Sequence, residues 1–400
     1  MPTFVIAGAS LAGAKAAETL RDEGFDGQIV LLGTEPERPY ERPPLSKGYL
    51  LGNDELDSVY VHPEEWYAEH DIDLRMGVTV TGIDRAASAV TTSDDSTVHY
   101  DKLLLSTGAS PRRLSFPGSD RDEVLYLRTT ADSERLRAAF QAAPRVVVAG
   151  AGWIGLETTA AARSYGCPVT VLEPQPGALQ DQLGPELGAV FAGLHRSHGV
   201  DFRFGERAAE FRPGMVITSA GAEVPADLFV VGIGAAPNDQ LAAAAGLEVD
   251  NGVLTDEHLR TSDENIFAAG DVANSFHPLL GQQVRVEHWA NALNGGPAAA
   301  RSMLGQPVVY DPVPYFYSDQ YDLGMECAGL PSPGRYDQVI YRGDRDSLEF
   351  IAFWLIRGTV IAGMNVNVWD VNDDIQSLIR SARQVDPTRL TNPEIPLPDL

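Results

Sequence analysis

The stretch "RVVVAGAGWIGLET", Arg145–Thr158, decides the fold. Val146–Ala149 reads as a buried strand, Gly150-x-Gly152-x-x-Gly155 as a tight turn, and the residues beyond as a helix start. The first glycine permits the turn, the second lets a pyrophosphate approach the backbone, and the third lets helix pack closely on strand. The helix N-terminus then offers free N–H groups and the positive end of its dipole to phosphate. Glu173 ends the next strand, "CPVTVLE", 23 residues beyond Gly150. That is close to the ~20-residue spacing at which a carboxylate receives ribose hydroxyls. The chain opens on the same build: "TFVIAGASLAGAKAAE", Thr3–Glu18, carries Gly8-x-Ser10-x-x-Gly13, with serine at the middle position. Two cradles imply two dinucleotides and a transfer between them.

Outward from the cradles, strand and helix patterns alternate from Thr3 to about Ser106, as in parallel βαβ units. "TEPERPYERPPLSKG" carries four prolines and reads as an extended loop. "YDKLLLSTGASPR" is a strand stopped by Thr107-Gly108, and the second α/β unit runs to "ADLFVVGIGAAPN", near Asn238. From about Asp311 the pattern changes. "SLEFIAFWLIRGTVIAGMNVN" reads as two strands joined at Arg357-Gly358, and "NDDIQSLIRSA" as a helix capped by Asn372 or Asp373. The expected fold class is α/β: two Rossmann-like dinucleotide-binding domains plus a C-terminal α+β domain. The first domain takes residues 1–110 and 241–310, the second 111–240, and the third 311–400.

Fifty-six acidic residues against 30 basic give a net charge of −26. That disfavours nucleic acid or an anionic membrane as partner, since both need a basic surface. No apolar run reaches the ~18 residues of a membrane span, and "MPTFVIAGAS" reads as a first strand rather than a leader, so a cytoplasmic location is expected. Cys167 and Cys327 stand far apart and read as small core residues; no metal site is expected. His195 and His198 share a helix face without an acidic or thiol partner in view and read as a surface pair. From Glu173 to Leu194 there is no Lys or Arg to hold a 2′-phosphate, which favours NADH over NADPH.

Two further stretches carry a resemblance. "TSDENIFAAGD", Thr261–Asp271, resembles the second flavin motif of the two-dinucleotide-binding flavoproteins, and "LLLSTGASPR" resembles their crossover motif. "PYERPPLSKGYL", "GAGWIGLE", "VVGIGAAPN" and "YSDQYD" narrow this to the NADH-dependent ferredoxin reductases that serve haem-thiolate monooxygenases and Rieske dioxygenases. The resemblance spans essentially the whole chain and implies a glutathione-reductase-like fold whose C-terminal domain is an interface domain. It implies FAD in the first cradle (Gly8, Ser10, Ala12, Gly13), with Lys47, Val80, Arg128, Gly270, Asp271 and Trp289 at flavin-contacting positions and Arg42 a further candidate. Thr34 stands where relatives often have a ribose-binding acid, so either Glu35 substitutes or that contact is weaker. NADH would lie on Gly150, Gly152, Trp153, Ile154, Gly155 and Glu173, with Gly232 and Gly234 of "VVGIGAAPN" beside it. Trp153 either shields the nicotinamide or packs; His288 either approaches the flavin or packs. Lys47 and Glu157 resemble a pair beside the flavin's reactive edge.

The sequence also departs from the family. Tyr315 and Tyr317 replace tryptophans, and Gly295-Gly296-Pro297 interrupts a helix start, which would move that start later. Relatives that reduce disulfides, peroxide or oxygen place cysteine near the flavin; "AKAAETLRDEG" and "RPPLSKGYLLG" hold none. The outlet is then an external one-electron carrier, which the resemblance implies is a two-iron two-sulfur ferredoxin. An acidic ferredoxin would need a local cationic surface, for which Arg301, Arg335, Arg342 and Arg345 are candidates. An NADH oxidase or quinone-type reductase remains an alternative, as does an NADH-responsive flavoprotein of the apoptosis-inducing-factor kind. Monomer and homodimer stay equally open.

Overall fold

The computed structural model describes residues 1–331 and 334–400. The chain divides into two compact units, one of residues 1–42, 56–110 and 235–314, the other of 43–55, 111–234 and 315–400.

The first unit is built on a five-stranded sheet. From one edge its strands are Ile72–Met76, Gln28–Gly33, Thr3–Ala7, Lys102–Leu105 and Ile266–Ala268, all parallel. The strands are apolar runs because a parallel sheet is covered on both faces; Val5, Ile6, Ile29, Val30, Leu31, Leu103 and Leu104 are wholly buried. Helix Leu11–Asp22 presents Ala14, Ala16 and Ala17 to that core, small residues that allow close packing on the first strand. An antiparallel flap of Val80–Asp84, Ala89–Thr92 and Thr97–His99 lies in the same unit.

Here the structure corrects a sequence expectation. The last helix of this unit runs unbroken from Trp289 to Met303, with Pro297 inside it. The start does not move past the proline. Gly296 explains the departure: a Cβ there would overlap the carbonyl oxygen of Ala12, so the glycine lets this helix lie directly on the helix Leu11–Asp22.

The second unit repeats the plan. Its parallel sheet runs Asp201–Phe204, Val169–Glu173, Val146–Ala149, Leu228–Val231 and Val124–Tyr126. Helix Trp153–Ser164 follows the glycine turn, and Thr130–Phe140 starts on a capping box in which Thr129 and Asp132 exchange hydrogen bonds. Residues 315–400 add an antiparallel sheet ordered Tyr315–Gln320, Leu323–Gly329, Thr359–Val366, Glu349–Ile356 and Gln338–Asp344. Phe350 through Leu355 are all buried, so both faces of that strand are covered; Trp354 alone contributes about 2–3 kcal/mol of burial.

The two strands expected around Arg357-Gly358 are present. The cap expected at Asn372 or Asp373 is not. Val371 occupies the cap position, and Asn372, inside the helix, instead donates to Asn365 Oδ1 (3.4 Å) and accepts from Gln376 Nε2 (2.9 Å). Among the described residues no helix is long and apolar enough to cross a membrane.

Candidate active site: two glycine cradles and a buried ion pair

In the second unit, Gly150 adopts φ +97°, and a Cβ there would overlap the carbonyl oxygen of Gly232. A Cβ on Gly155 would overlap the carbonyl oxygen of Gly150. Both glycines are thus required by the protein's own packing. Gly152 is different: its φ of −81° suits any residue, and a Cβ there would meet nothing within 4 Å. The open space lies at the N-terminus of helix Trp153–Ser164, where a pyrophosphate needs close backbone approach. Glu173 comes back to the turn: its carboxylate accepts from the backbone N–H of Ala151 (2.7 Å) and of Gln175 (2.8 Å). Those bonds fix the carboxylate and leave it further lone pairs for ribose hydroxyls. Ile154 in that helix and Ile233 in the loop after the strand Leu228–Val231 are 45% and 37% exposed, apolar surface that a bound nucleotide would cover. Gly234, at φ +91°, carries the chain away from Ile233.

In the first unit Gly8 takes φ +126°, where a Cβ would overlap the carbonyl oxygen of Ser106, and a Cβ on Gly13 would overlap that of Gly8. Ser10 stands at the cap of helix Leu11–Asp22, at φ −126°, and its side chain makes no capping bond. Ala12 lies in the first turn, with Gly270 against it: a Cβ on Gly270 would sit 3.2 Å from the Ala12 methyl. Asp271 follows in the turn Gly270–Val272, and Trp289 begins the helix that ends the unit. Glu35 is held by Tyr40 Oη (2.5 Å) and by Arg42 Nη2 (2.7 Å). Burial would pull the Arg42 pKa down, but Tyr40, Glu35 and Asp271 outweigh it and leave it raised. Thr34 accepts from the Thr79 hydroxyl (3.1 Å), one residue before Val80 opens the flap. Glu35, two residues beyond the strand Gln28–Gly33, is thus already engaged by an arginine.

Lys47 and Glu157, 110 residues apart, meet in the second unit: Nζ donates to Oε2 at 2.8 Å. The carboxylate is 3% exposed and the ammonium 16%. Ser46 donates to the same oxygen, and Ser318 donates to Oε1 at 2.7 Å. Lys47 also lies 5.3 Å from the centre of the Tyr317 ring. Asp319, two residues on, has its pKa raised by burial, against the lowering effect of Lys47. Arg128 belongs to this unit too, its backbone N–H bonded to Asp132 Oδ2 at 3.1 Å. The sequence identified the pair but missed Ser46 and Ser318. Their signal was present, since both stand inside the stretches "RPPLSKG" and "YSDQYD" that carry the resemblance.

Other expectations change. His195 is not at the surface: it is wholly buried, with Nε2 at 2.8 Å from Gln320 Oε1 and Nδ1 at 3.1 Å from Tyr321 Oη. His198 stacks on Tyr321, ring centres 3.6 Å apart. Helical periodicity places both histidines on one face but cannot say that the strand Tyr315–Gln320 covers it. Trp153 packs edge-on to Phe191 (5.4 Å) and tilted against Phe316 (5.1 Å). Cys167 and Cys327 are buried as expected, and burial pushes both thiols' pKa up, away from a reactive thiolate.

The four arginines differ in their commitments. Arg342 donates to the carbonyls of Pro393 (3.0 Å) and Ile395 (2.7 Å), clamping the end of the chain. Arg301 pairs with Glu23 at 2.8 Å, and Arg345 lies 4.3 Å over the Tyr341 ring.

Two parallel nucleotide-binding sheets, each with a glycine cradle and an acid at or just beyond the end of the neighbouring strand, define an oxidoreductase of the two-dinucleotide class. The chain belongs to the pyridine nucleotide-disulphide oxidoreductase family, whose model matches residues 2–296, and residues 315–400 match a model described as reductase C-terminal. It is 40% identical to the ferredoxin–NAD(+) reductase component of the anthranilate 1,2-dioxygenase system of Burkholderia cepacia, over 98% of each chain. Putidaredoxin reductase of Pseudomonas putida is 37% identical over 99% of this chain and 96% of its own. The solved covalent complex of putidaredoxin reductase with putidaredoxin aligns with a TM-score of 0.96 at 36% identity, covering 100% of this chain and 97% of that one. FAD and NADH are the cofactors this membership implies, and the fold is the glutathione-reductase-like one expected.

Proposed function

We propose that the chain is the NADH-dependent reductase of a two-iron two-sulfur ferredoxin, itself the electron donor to a haem-thiolate monooxygenase or a Rieske dioxygenase. The observation that carries this reading is the pair of cradles combined with two deeply buried thiols. FAD, when bound, accepts a hydride and gives up single electrons. The chain's own residues bind and orient. Gly8, Ser10, Ala12 and Gly13 receive the FAD pyrophosphate, with Glu35 and Arg42 beside its ribose; Val80, Arg128, Gly270, Asp271 and Trp289 take the positions the resemblance gives them. Gly150, Gly152 and Gly155 receive NADH, Glu173 accepts from its ribose hydroxyls, and Ile154, Ile233, Gly232 and Gly234 line its path. Lys47, oriented by Glu157, acts at the flavin's reactive edge, where a fixed cation favours electron density on the ring.

The division into an FAD domain (1–110 and 241–310), an NAD domain (111–240) and a C-terminal interface domain (311–400) belongs to the same reading. So does a cytoplasmic location, where NADH is at hand. For the carrier surface we assign Arg301, Arg335, Arg342 and Arg345 as candidates, of which Arg301 also pairs with Glu23, Arg345 also lies over Tyr341 and Arg342 also clamps the chain's end.

The test is cytochrome c reduction by NADH with and without a panel of two-iron ferredoxins. Strong dependence on one carrier supports the reading. Turnover with oxygen or quinone that matches the best ferredoxin would replace it with the oxidase or quinone-reductase alternative.

A further inference from the structure

Beyond Glu157 the second unit holds a continuous chain of polar groups, buried up to its half-buried end at Tyr321: Glu157 Oε1, Ser318 Oγ (2.7 Å), Gln320 Nε2 (3.1 Å from Ser318), Gln320 Oε1, His195 Nε2 (2.8 Å), His195 Nδ1 and Tyr321 Oη (3.1 Å). Glu157, Ser318, Gln320 and His195 are all at most 4% exposed. The protons along it can be assigned from the carboxylate outward. Glu157, ion-paired with Lys47, only accepts, so Ser318 must donate to it. Having one proton, Ser318 must then accept from Gln320, which sets the amide with its NH₂ toward Ser318 and its oxygen toward His195. That oxygen needs a donor, so His195 carries its proton on Nε2. Nδ1 is left to accept from the Tyr321 hydroxyl.

Every donor therefore points the same way, toward Glu157. We infer that Tyr321, His195, Gln320 and Ser318 form a one-way hydrogen-bond relay that fixes the Glu157 carboxylate and, through it, the position of Lys47. These are positioning residues; none of them is assigned a contact with cofactor. The inference rests on the reading of Lys47 and Glu157 as a functional pair.

Two features mark the chain as built. Aligned hydrogen bonds ending on a charge polarise and strengthen one another in a low-dielectric interior, whereas a partly satisfied buried network is costly. Tyr321, moreover, sits at φ +58° in the turn between the strands Tyr315–Gln320 and Leu323–Gly329, a conformation a bulky side chain avoids. It is held there by its bond to His195 and its stack on His198. Burial lowers the His195 pKa to about 4, in keeping with a neutral ring that has one proton to place.

The direction of the relay is measurable without turnover. In the FAD-loaded protein with ¹⁵N-labelled histidine, the His195 signals, identified by their loss in His195→Gln, should show a protonated Nε2 and an unprotonated Nδ1. A proton on Nδ1 would overturn the relay. Stopped-flow reduction of the flavin by NADH supplies the second readout. Ser318→Ala should slow reduction about tenfold at saturating NADH with little change in apparent NADH affinity, the size expected for losing a hydrogen bond to a charged group. Ser318→Thr, which keeps the hydroxyl, should restore most of the rate. If Lys47→Ala slows reduction but Ser318→Ala does not, the relay falls and the pair stands. If Lys47→Ala leaves the rate unchanged, the reading of the pair falls and takes the relay with it.

Discussion

The two cradles are the same device executed twice, and of its three glycine positions they differ at one. In both, the outer glycines are dictated from within. Gly8 and Gly150 take positive φ against a neighbouring strand's carbonyl, and Gly13 and Gly155 lie on the carbonyls of Gly8 and Gly150. Both helices that follow are 12 residues long, and both sheets have the cradle strand at their centre. The middle position is Ser10 in one and Gly152 in the other. Nothing in the protein requires glycine there, since Gly152 has ordinary φ and open space. Outer glycines thus report the fold and the middle residue reports the ligand. The acids differ in the same sense. Glu173 turns its carboxylate onto the backbone N–H of its own cradle, whereas Glu35 is engaged by Tyr40 and Arg42.

The sharpest way to break this comparison is to put a methyl group on each kind of glycine. Gly150→Ala forces a Cβ into the Gly232 carbonyl at a left-handed φ and should cost about 3 kcal/mol or more in a urea or thermal unfolding experiment. Gly152→Ala should leave that stability within about 0.5 kcal/mol and instead raise the KM for NADH at least about tenfold. Equal loss of stability in the two variants would mean that Gly152 is a structural glycine after all. Ser10→Gly sharpens the point in the first cradle: stability should change little, and FAD should bind at least as tightly.

Each unit also holds a histidine whose pKa burial draws down to about 4, His195 in the second and His288 in the first, where Asp271 opposes the shift. The neutral form is the one the fold accepts, so the unfolded chain binds the proton first. Stability from His195 is full above about pH 6.5 and is lost as pH falls from there through 4, by up to about 3 kcal/mol. His195→Phe should flatten the pH dependence of the urea midpoint across that window. An unchanged slope would place the acid sensitivity elsewhere.

How much of this was legible beforehand depends on the range of the signal. The cradles were, because strand, glycine spacing and helix start are local and each glycine has its own steric reason. Lys47 and Glu157 came through resemblance alone, for nothing in the 109 intervening residues announces an ion pair. His195 was misread because a helix's own periodicity cannot say which strand covers it; the residue that does so, Gln320, lies 125 positions away. Pro297 was misread for a related reason. A local rule predicted a late helix start, and the packing of Gly296 on Ala12 outweighed it.

Smaller effects test the two ends of the account. The protein should prefer NADH to NADPH by at least tenfold in kcat/KM, about 1.4 kcal/mol, and Glu173→Ala should narrow that gap; equal use of both cofactors by the unmodified protein would remove Glu173 from the ribose. Smallest is the carrier surface. Reversing Arg345 to Glu should weaken ferredoxin turnover a few-fold, more at low salt than at high, while ferricyanide reduction is spared. Loss of both activities together would point to damage at the flavin rather than at a docking surface.

The most direct test of two cradles passing a hydride is an anaerobic titration of the FAD-loaded protein with NADH, followed by the flavin's visible absorbance. One equivalent of NADH should bleach one equivalent of FAD, and in Gly152→Ala the bleaching should need far more NADH while the FAD stays bound. A flavin that keeps its colour under excess NADH, or a Gly152→Ala protein that titrates like the unmodified one, would contradict the account.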